Sequence, residues 1–452
     1  MNLNPNLHIN HTHDAATHSW LTSANAAGCD FPIQNLPFTV FRRQGTSETF
    51  RGGVAIGDQV ICLGAVAKSG ALTGLAAQAA SACAQPVLND FFAMGPASWS
   101  ALRHALFDAL KDGANGAPTD AVRAALVPIA SIEHAVPARI GDYTDFYTSI
   151  HHGRNVGMIA RPDAPLTPNF QWIPIAYHGR VSSIGVGSGQ QGQKFRRPKG
   201  QSMAPSAKAP VYGPCARLDY ELELAIWIGQ GNAQGEPIPL AQADDHIFGY
   251  SLLNDWSARD IQFWEMAPLG PFLGKNFCTT LSPWIVTQEA MAPYRLPFER
   301  AANEPQPLPY LDDARNKAQG TLSIELDVLI ESQQMREQGL SASPVSHTNF
   351  RHQYWTVGQM VTQHTNGGCN LNPGDLFGSG TISGPTPAEG GAIIELTKGG
   401  KAPISLSTSG EERAFLHDGD AVILRGWCEK TGFARIGFGE SRGEVVETGR
   451  SL

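Results

Sequence analysis

Four acidic residues have neighbours that do not suit a solvated charge. Asp145 lies in "DYTDFYTSIHHGRNVG" beside Phe146 and Tyr147, and Asp255 lies in "LLNDWSARDIQFWE" beside Trp256. Glu221 and Glu223 lie in "LDYELELAIWIG", which alternates as a strand does. Leu222, Leu224 and Ile226 take one face, and the two glutamates take the other with Asp219 and Ala225. Carboxylates about 5 Å apart repel by about 3 kcal/mol at an effective dielectric of about 20. Inside a protein such groups are costly unless paired or bound to a metal. All four offer oxygen, without cysteine or a two-histidine spacing beside them. That donor set selects a hard cation, Mg2+ or Ca2+, over zinc. The plainer alternative is an exposed strand whose glutamates face water.

The stretch "NDWSARDIQFWEMAPLGPFLGKNFCTTLSPW" (254–284) is the densest in such groups. A helix starting just after Asp255 puts Arg259 and Gln262 on one face, and Lys275 follows in "FLGKNF". Together the three can hold an oxyanion or a carboxylate, although each alone is most often a surface residue. Histidine supplies a base that titrates near working pH. His11 and His13 fall in a polar N-terminal stretch and read as surface groups. His151 and His152 follow Asp145 closely, and either can be the base, oriented by a neighbouring carboxylate. The residues alone do not choose between them.

The chain that must position these groups has 452 residues, so two domains are expected. Its 42% hydrophobic and 16% charged content is that of a globular protein. The 48 Gly and 31 Pro imply many turns between short strands, hence a β-rich fold. A net charge of −8 with no basic run argues against nucleic acid and anionic membranes as partners. No apolar run approaches the roughly 20 residues that span a bilayer, and the N-terminus lacks the pattern of a signal peptide. Seven cysteines without CxxC spacing read as reduced thiols of a cytoplasmic protein.

Along the chain, residues 1–30 are polar and read as a wrap over a surface. "LPFTVFRR" through "RGGVAIGDQVICLGAV" suggests a small β-barrel or meander. "SWSALRHALFDALKDG" is the clearest helix, with Trp99, Leu102, Leu106 and Leu110 as its core stripe and Gly113 suited to its C-cap. "GANGAPTD" (113–120) reads as a linker, and further helices are expected near 256–266 and 349–364. "GSGQQG" (187–192) matches a dinucleotide fingerprint, but "QKFRRPKG" follows it instead of an apolar helix, so it reads as a mobile Gly-rich loop.

Taken in order, "DYTDFYTSIHHGRNVG", "PIAYHGRVSSI", "GPCARLDYELELAIWIG", "GEPIPLAQADDHIFGYSLLNDWSARDIQFWE", "PLGPFLGKNFCTTLSPW", "NLNPGDLFGSGTISGP" and "LHDGDAVILRGWC" resemble the fumarylacetoacetate hydrolase family. The likeness runs from about 140 to 440, is weaker in the N-terminal part, and departs most between 285 and 350. It implies an SH3-like N-terminal barrel (1–120) and a mixed β-sandwich roll (121–452) that carries the site. It implies a homodimer acting on a small diketo acid, with cleavage of 4-fumarylacetoacetate to fumarate and acetoacetate in tyrosine and phenylalanine breakdown. Metal ligands are then Asp145, Glu221, Glu223 and Asp255, with Lys275 and Thr279 near a second, structural cation. The resemblance picks His152 as the base, with Glu395 on a late strand as its partner, and Arg259, Gln262 and Lys275 as the oxyanion group. Substrate contacts fall on Tyr147, Arg161, Tyr177, Gln262 and Thr381. Two rivals remain: a related acylpyruvate hydrolase or β-keto acid decarboxylase, and a calcium-stabilised β-sandwich binding module without catalysis.

Overall fold

The computed structural model describes residues 4–189 and 191–446. The N-terminal part is a curled antiparallel half-barrel of five strands. Their order is Leu126–Pro128, Gln59–Cys62, Arg51–Ile56, Phe38–Arg43 and Ile132–Ala135. Two of these strands lie beyond residue 120, so the sheet extends past the boundary drawn from sequence. The stretch taken as a linker is in part helical, Ala117–Ala124, with Gly116 at φ +93° before it. Pro118 fits the first turn of that helix because its missing N–H would have no partner there.

The expected amphipathic helix spans Pro96–Leu110, and its stripe of Trp99, Leu102, Leu106 and Leu110 is buried. It ends before Gly113, because the N-terminal segment satisfies its last carbonyls. Trp20 N and Ser19 Oγ both donate to Leu110 O, at 3.2 and 3.0 Å. Residues 4–30 are thus more than a surface wrap: Leu7, Thr12, His13 and Ser19 are buried. His13, expected at the surface, lies 2.7 Å from Glu289 O through its Nε2, and burial lowers its pKa to about 4. Asn10 Nδ2 donates to Glu289 Oε1 at 2.7 Å, so this segment straps the two halves together.

The second half is built on an eight-stranded mixed sheet. Its order runs Ile175–His178, Tyr143–Tyr147, Leu376–Gly378, Leu222–Ile228, Ile247–Asp255, Thr279–Leu281, Ile184–Val186, with Val286–Thr287 pairing off the main path. Both faces are covered. Leu222, Leu224, Ile226, Tyr250 and Leu252 join the core against a second sheet that includes Glu325–Glu331, Ala421–Cys428 and Ile436–Val446. Ala225, Trp227, Phe248 and Trp284 pack instead with Phe38, Phe91 and Phe92 of the N-terminal part. The strand read as half apolar is therefore buried on both sides, and its glutamates do not face water.

Two of the fingerprint-like glycines, Gly187 and Gly192, pack against Arg442, while Gly189 has open space and a φ of +54°. The strand Gln193–Arg196 follows them and pairs in parallel with Ile436–Val446, so no dinucleotide helix is present. Gln190 lies outside the described residues. A Cβ on Gly187 would stand 2.1 Å from Arg442 O and 2.4 Å from Gln193 N, so Gly187 is a packed sheet contact and not part of a free loop. Replacing it by Ala is expected to destabilise the protein by about 3 kcal/mol, because backbone must move to relieve the overlap. Calorimetric comparison with Gly213→Ala, where the added methyl meets nothing within 4 Å, checks this.

Candidate active site

Three strands of this sheet, two of them bridged by Leu376–Gly378, deliver the acids to one place. Asp145 lies opposite Gly378 in a parallel pair, Glu223 is opposite Leu253, and Asp255 ends its strand opposite Thr279. Glu221 sits at the entry to its strand, where its carbonyl accepts from Asp255 N at 3.2 Å. Oxygens of Asp145, Glu221, Glu223 and Asp255 all lie within 4.8 Å of one another, and all four residues are buried. Gly378 makes room: a Cβ there would meet Tyr143 Oη at 2.7 Å, and Asp145 Oδ1 and Glu223 Oε2 at 2.8 Å each. Gly380 N donates to Glu223 Oε2 at 3.0 Å.

Positive charge enters from two sides. Lys275 Nζ donates to Glu221 Oε2 at 2.5 Å and to Asp255 Oδ2 at 2.6 Å. Arg259 Nη1 donates to Glu221 Oε1 at 2.6 Å and to Gln262 Oε1 at 3.2 Å, from the first turn of the helix Arg259–Glu265. Arg259 Nε donates to Asp219 Oδ2 at 2.8 Å, while Nη2 is buried without an acceptor. Burial pushes Glu221 up, but Lys275 and Arg259 outweigh it and hold it below the ordinary carboxylate range. Asp145, Glu223 and Asp255 have less help. Burial first, then the repulsion of their neighbours, raises all three.

These residues fit a hard divalent cation. Asp145 Oδ1 and Glu223 Oε1 are buried with no hydrogen-bond partner, which is what a missing ligand bond leaves behind. Lys275 and an Arg259 shared with Asp219 do not offset four carboxylates, and a dication supplies the positive charge that is lacking. Thr279 Oγ1, 3.5 Å from Asp255 Oδ1, and Tyr177 Oη, donating to Asp255 Oδ2 at 3.2 Å, line the Lys275 side. There a cavity of about 230 Å³ is bounded by Tyr143, Tyr177, Asp255, Phe272, Lys275 and Thr279.

The base stands on another wall. Ser149 caps the helix Ile150–Ala160 by accepting from His152 N, and that helix buries His152 while leaving His151 half-exposed. His152 Nδ1 lies 2.7 Å from Glu395 Oε1. Glu395 also accepts from Ser383 Oγ at 2.9 Å and from Asn155 Nδ2 at 2.8 Å. Burial alone would raise the Glu395 carboxyl, but His152 and these donors outweigh it and keep the group ionised. Glu395 lies in a short helix, Ile393–Leu396, and not on the strand expected. Two positive-φ glycines, Gly399 and Gly400, follow it and turn the chain sharply there. His151 faces away, with its ring 6.1 Å from that of His352.

The Tyr147 ring meets the His152 ring edge-on at 5.4 Å. Burial raises the Tyr147 phenol, and so do Glu395 and Glu221, while Arg259 and Arg161 oppose them. Arg161 is exposed, with Nη2 donating to Pro165 O at 3.3 Å. Thr381 is buried next to Gly380 and is not hydrogen-bonded to the acids. Four contributors were not singled out from sequence. Tyr143 and Asp219 each lie two residues before a cluster acid, on the same strand face, and Asn155 lies one turn after His152; those spacings were the available signals. Ser383 offered none.

Two family models match the chain in succession: fumarylacetoacetase N-terminal over residues 34–137, and fumarylacetoacetate (FAA) hydrolase C-terminal over residues 143–446. The chain belongs to the fumarylacetoacetate hydrolase family. Among members of this family, the fumarylacetoacetase of Oryza sativa subsp. japonica is 44% identical over 426 residues, covering 93% of this chain and 96% of its own. That of Homo sapiens is 44% identical over 425 residues, covering 93% and 97%. The solved fumarylacetoacetate hydrolase from Exiguobacterium antarcticum shares the fold at a TM-score of 0.50 and 16% identity, over 91% of this chain and 100% of that one.

The ion-free cluster has a measurable signature. A carboxyl whose pKa is raised by folding supports stability below its unfolded value of about 4, and that support is lost as pH rises through the folded value. With chelator present, Glu223→Gln is therefore expected to melt above the unsubstituted protein near neutral pH, with the gap closing towards about pH 4. Saturation with a hard divalent cation should reverse the order. Differential scanning calorimetry across this pH range checks both.

Proposed function

We propose that this protein is a fumarylacetoacetase, hydrolysing the carbon–carbon bond of 4-fumarylacetoacetate to give fumarate and acetoacetate. The reading is carried by the buried His152–Glu395 pair, together with an arginine that has one uncommitted donor and a four-carboxylate cluster. In this reading Asp145, Glu221, Glu223 and Asp255 hold Mg2+ or Ca2+, with Lys275 and Thr279 beside a further cation position. The bound ion supplies Lewis acidity towards the two carbonyl oxygens of the diketone.

The chain's own groups do the rest. Glu395 takes the Nδ1–H of His152, which leaves Nε2 with a lone pair for a water proton. The resulting hydroxide adds to the fumaryl carbonyl. Arg259 Nη2, with Gln262 and Lys275, stabilises the alkoxide that forms. When the carbon–carbon bond breaks, its electron pair leaves with the acetoacetate part as an enolate, and the His152 imidazolium returns a proton to it. Arg161, with Tyr147, Tyr177 and Thr381, grips the substrate's carboxylate ends, arginine being suited to a bidentate contact.

The family likeness supports a homodimer. All seven cysteines are unpaired, which supports a cytoplasmic setting. Among the described residues no helix is long and apolar enough to cross a membrane. A binding module without catalysis has no use for a buried base pair and an oriented guanidinium.

His152→Ala is expected to lower turnover by about 10³-fold while substrate and cation binding persist. Loss of the diketone absorbance gives the rate, and calorimetric titration gives the binding. Near-normal turnover would rule His152 out as the base. Chelation should abolish activity in the unsubstituted enzyme, and added Mg2+ or Ca2+ should restore it.

A further inference from the structure

Asp219 is fully buried and belongs neither to the acid cluster nor to the cavity wall. Three of the four hydrogen bonds its carboxylate accepts lead to a group of the reaction. Its Oδ2 accepts from Arg259 Nε at 2.8 Å and from Ile394 N at 3.2 Å. Its Oδ1 accepts from Ile393 N at 2.7 Å and from its own neighbour Tyr220 N at 2.8 Å. Ile393 and Ile394 immediately precede Glu395, so one carboxylate ties the arginine to the segment that carries the partner of His152. The short antiparallel pair Leu218–Asp219 with Ser257–Ala258 fixes the distance, because Arg259 follows directly.

We propose that Asp219 is a positioning residue that sets the oxyanion donor and the base in register with each other. By accepting from Arg259 Nε it leaves Nη1 for Glu221 and Nη2 buried without an acceptor, as the one uncommitted donor of the guanidinium. By accepting from Ile393 N and Ile394 N it fixes the backbone from which Glu395 reaches the imidazole. A carboxylate can serve both sides because it only accepts. An asparagine must put its NH₂ either where Oδ2 serves Arg259 Nε and Ile394 N, or where Oδ1 serves Ile393 N and Tyr220 N, and either choice breaks part of the link.

The proposal rests on the roles given above to His152, Glu395 and Arg259. In Asp219→Asn, kcat should fall about 100-fold. KM and Mg2+ affinity should stay within about 3-fold, because Asp219 touches neither substrate nor ion. Adding Glu395→Gln to it should lower kcat by no more than about 3-fold beyond the weaker single variant. Multiplying effects would overturn the proposal. Near-normal turnover of Glu395→Gln alone would overturn the roles on which it rests, and the proposal with them.

The link is also read from its other end, without turnover. In Arg259→Lys, the proton resonance of the His152–Glu395 hydrogen bond, seen in ¹⁵N-histidine-labelled protein, should shift although neither of those residues is changed. An unchanged resonance in the folded variant overturns the coupling, including in the case that Asp219→Asn does not fold.

Discussion

Four carboxylates within 4.8 Å of one another, away from water, cannot all stay ionised without positive charge among them. This constraint explains much of the second half of the molecule. Lys275 and Arg259 each lean on Glu221, which becomes the one acid held firmly ionised, while its three neighbours are pushed up. The negative charge that remains suits a dication, and Asp145 Oδ1 and Glu223 Oε1 are the oxygens left without partners. Gly378 answers the same demand in space, since three polar groups fill the volume where its side chain would stand.

The site is divided between rigid and local parts. The acids sit on, or at the entry of, hydrogen-bonded strands of one sheet, where register fixes their separation. The base sits on a helix and its partner on a four-residue helix with a glycine turn behind it. Precision there comes from side-chain hydrogen bonds instead: Ser149 to the helix start, and Ser383 and Asn155 to Glu395. With three good donors on one carboxylate, the imidazole has a single orientation available.

What was legible in the sequence followed from spacing and from composition around a charge. Asp145 and Asp255 were recognisable because aromatic and apolar neighbours made a solvated acid improbable there, and Glu221 and Glu223 because a two-residue period aligned them. The choice of His152 over His151 was not legible from the residues, since it depends on which side of a helix faces Glu395, a residue 243 positions away. The burial of His13 and the helical 117–124 segment were missed for a related reason. Both depend on what the fold packs against them: Glu289 of the other half for His13, and the helices Pro96–Leu110 and Leu63–Ser69 for the segment of Val122. The half-polar reading of the Leu222–Ile228 strand failed because its second cover comes from residues far upstream.

That second cover has a consequence for how the protein is made. The sheet bearing the acids carries Trp227, Phe248 and Trp284 in a greasy layer, and the partners of that layer, Phe38, Phe91 and Phe92, all precede it in the chain. Synthesis runs from the N-terminus at about 5–20 residues per second, and domains tend to fold as they emerge. The half-barrel can therefore be complete before the ribosome releases the strands that need it. It then acts as a built-in mould, receiving each aromatic strand as it appears and sparing the nascent chain a period with an open, sticky sheet.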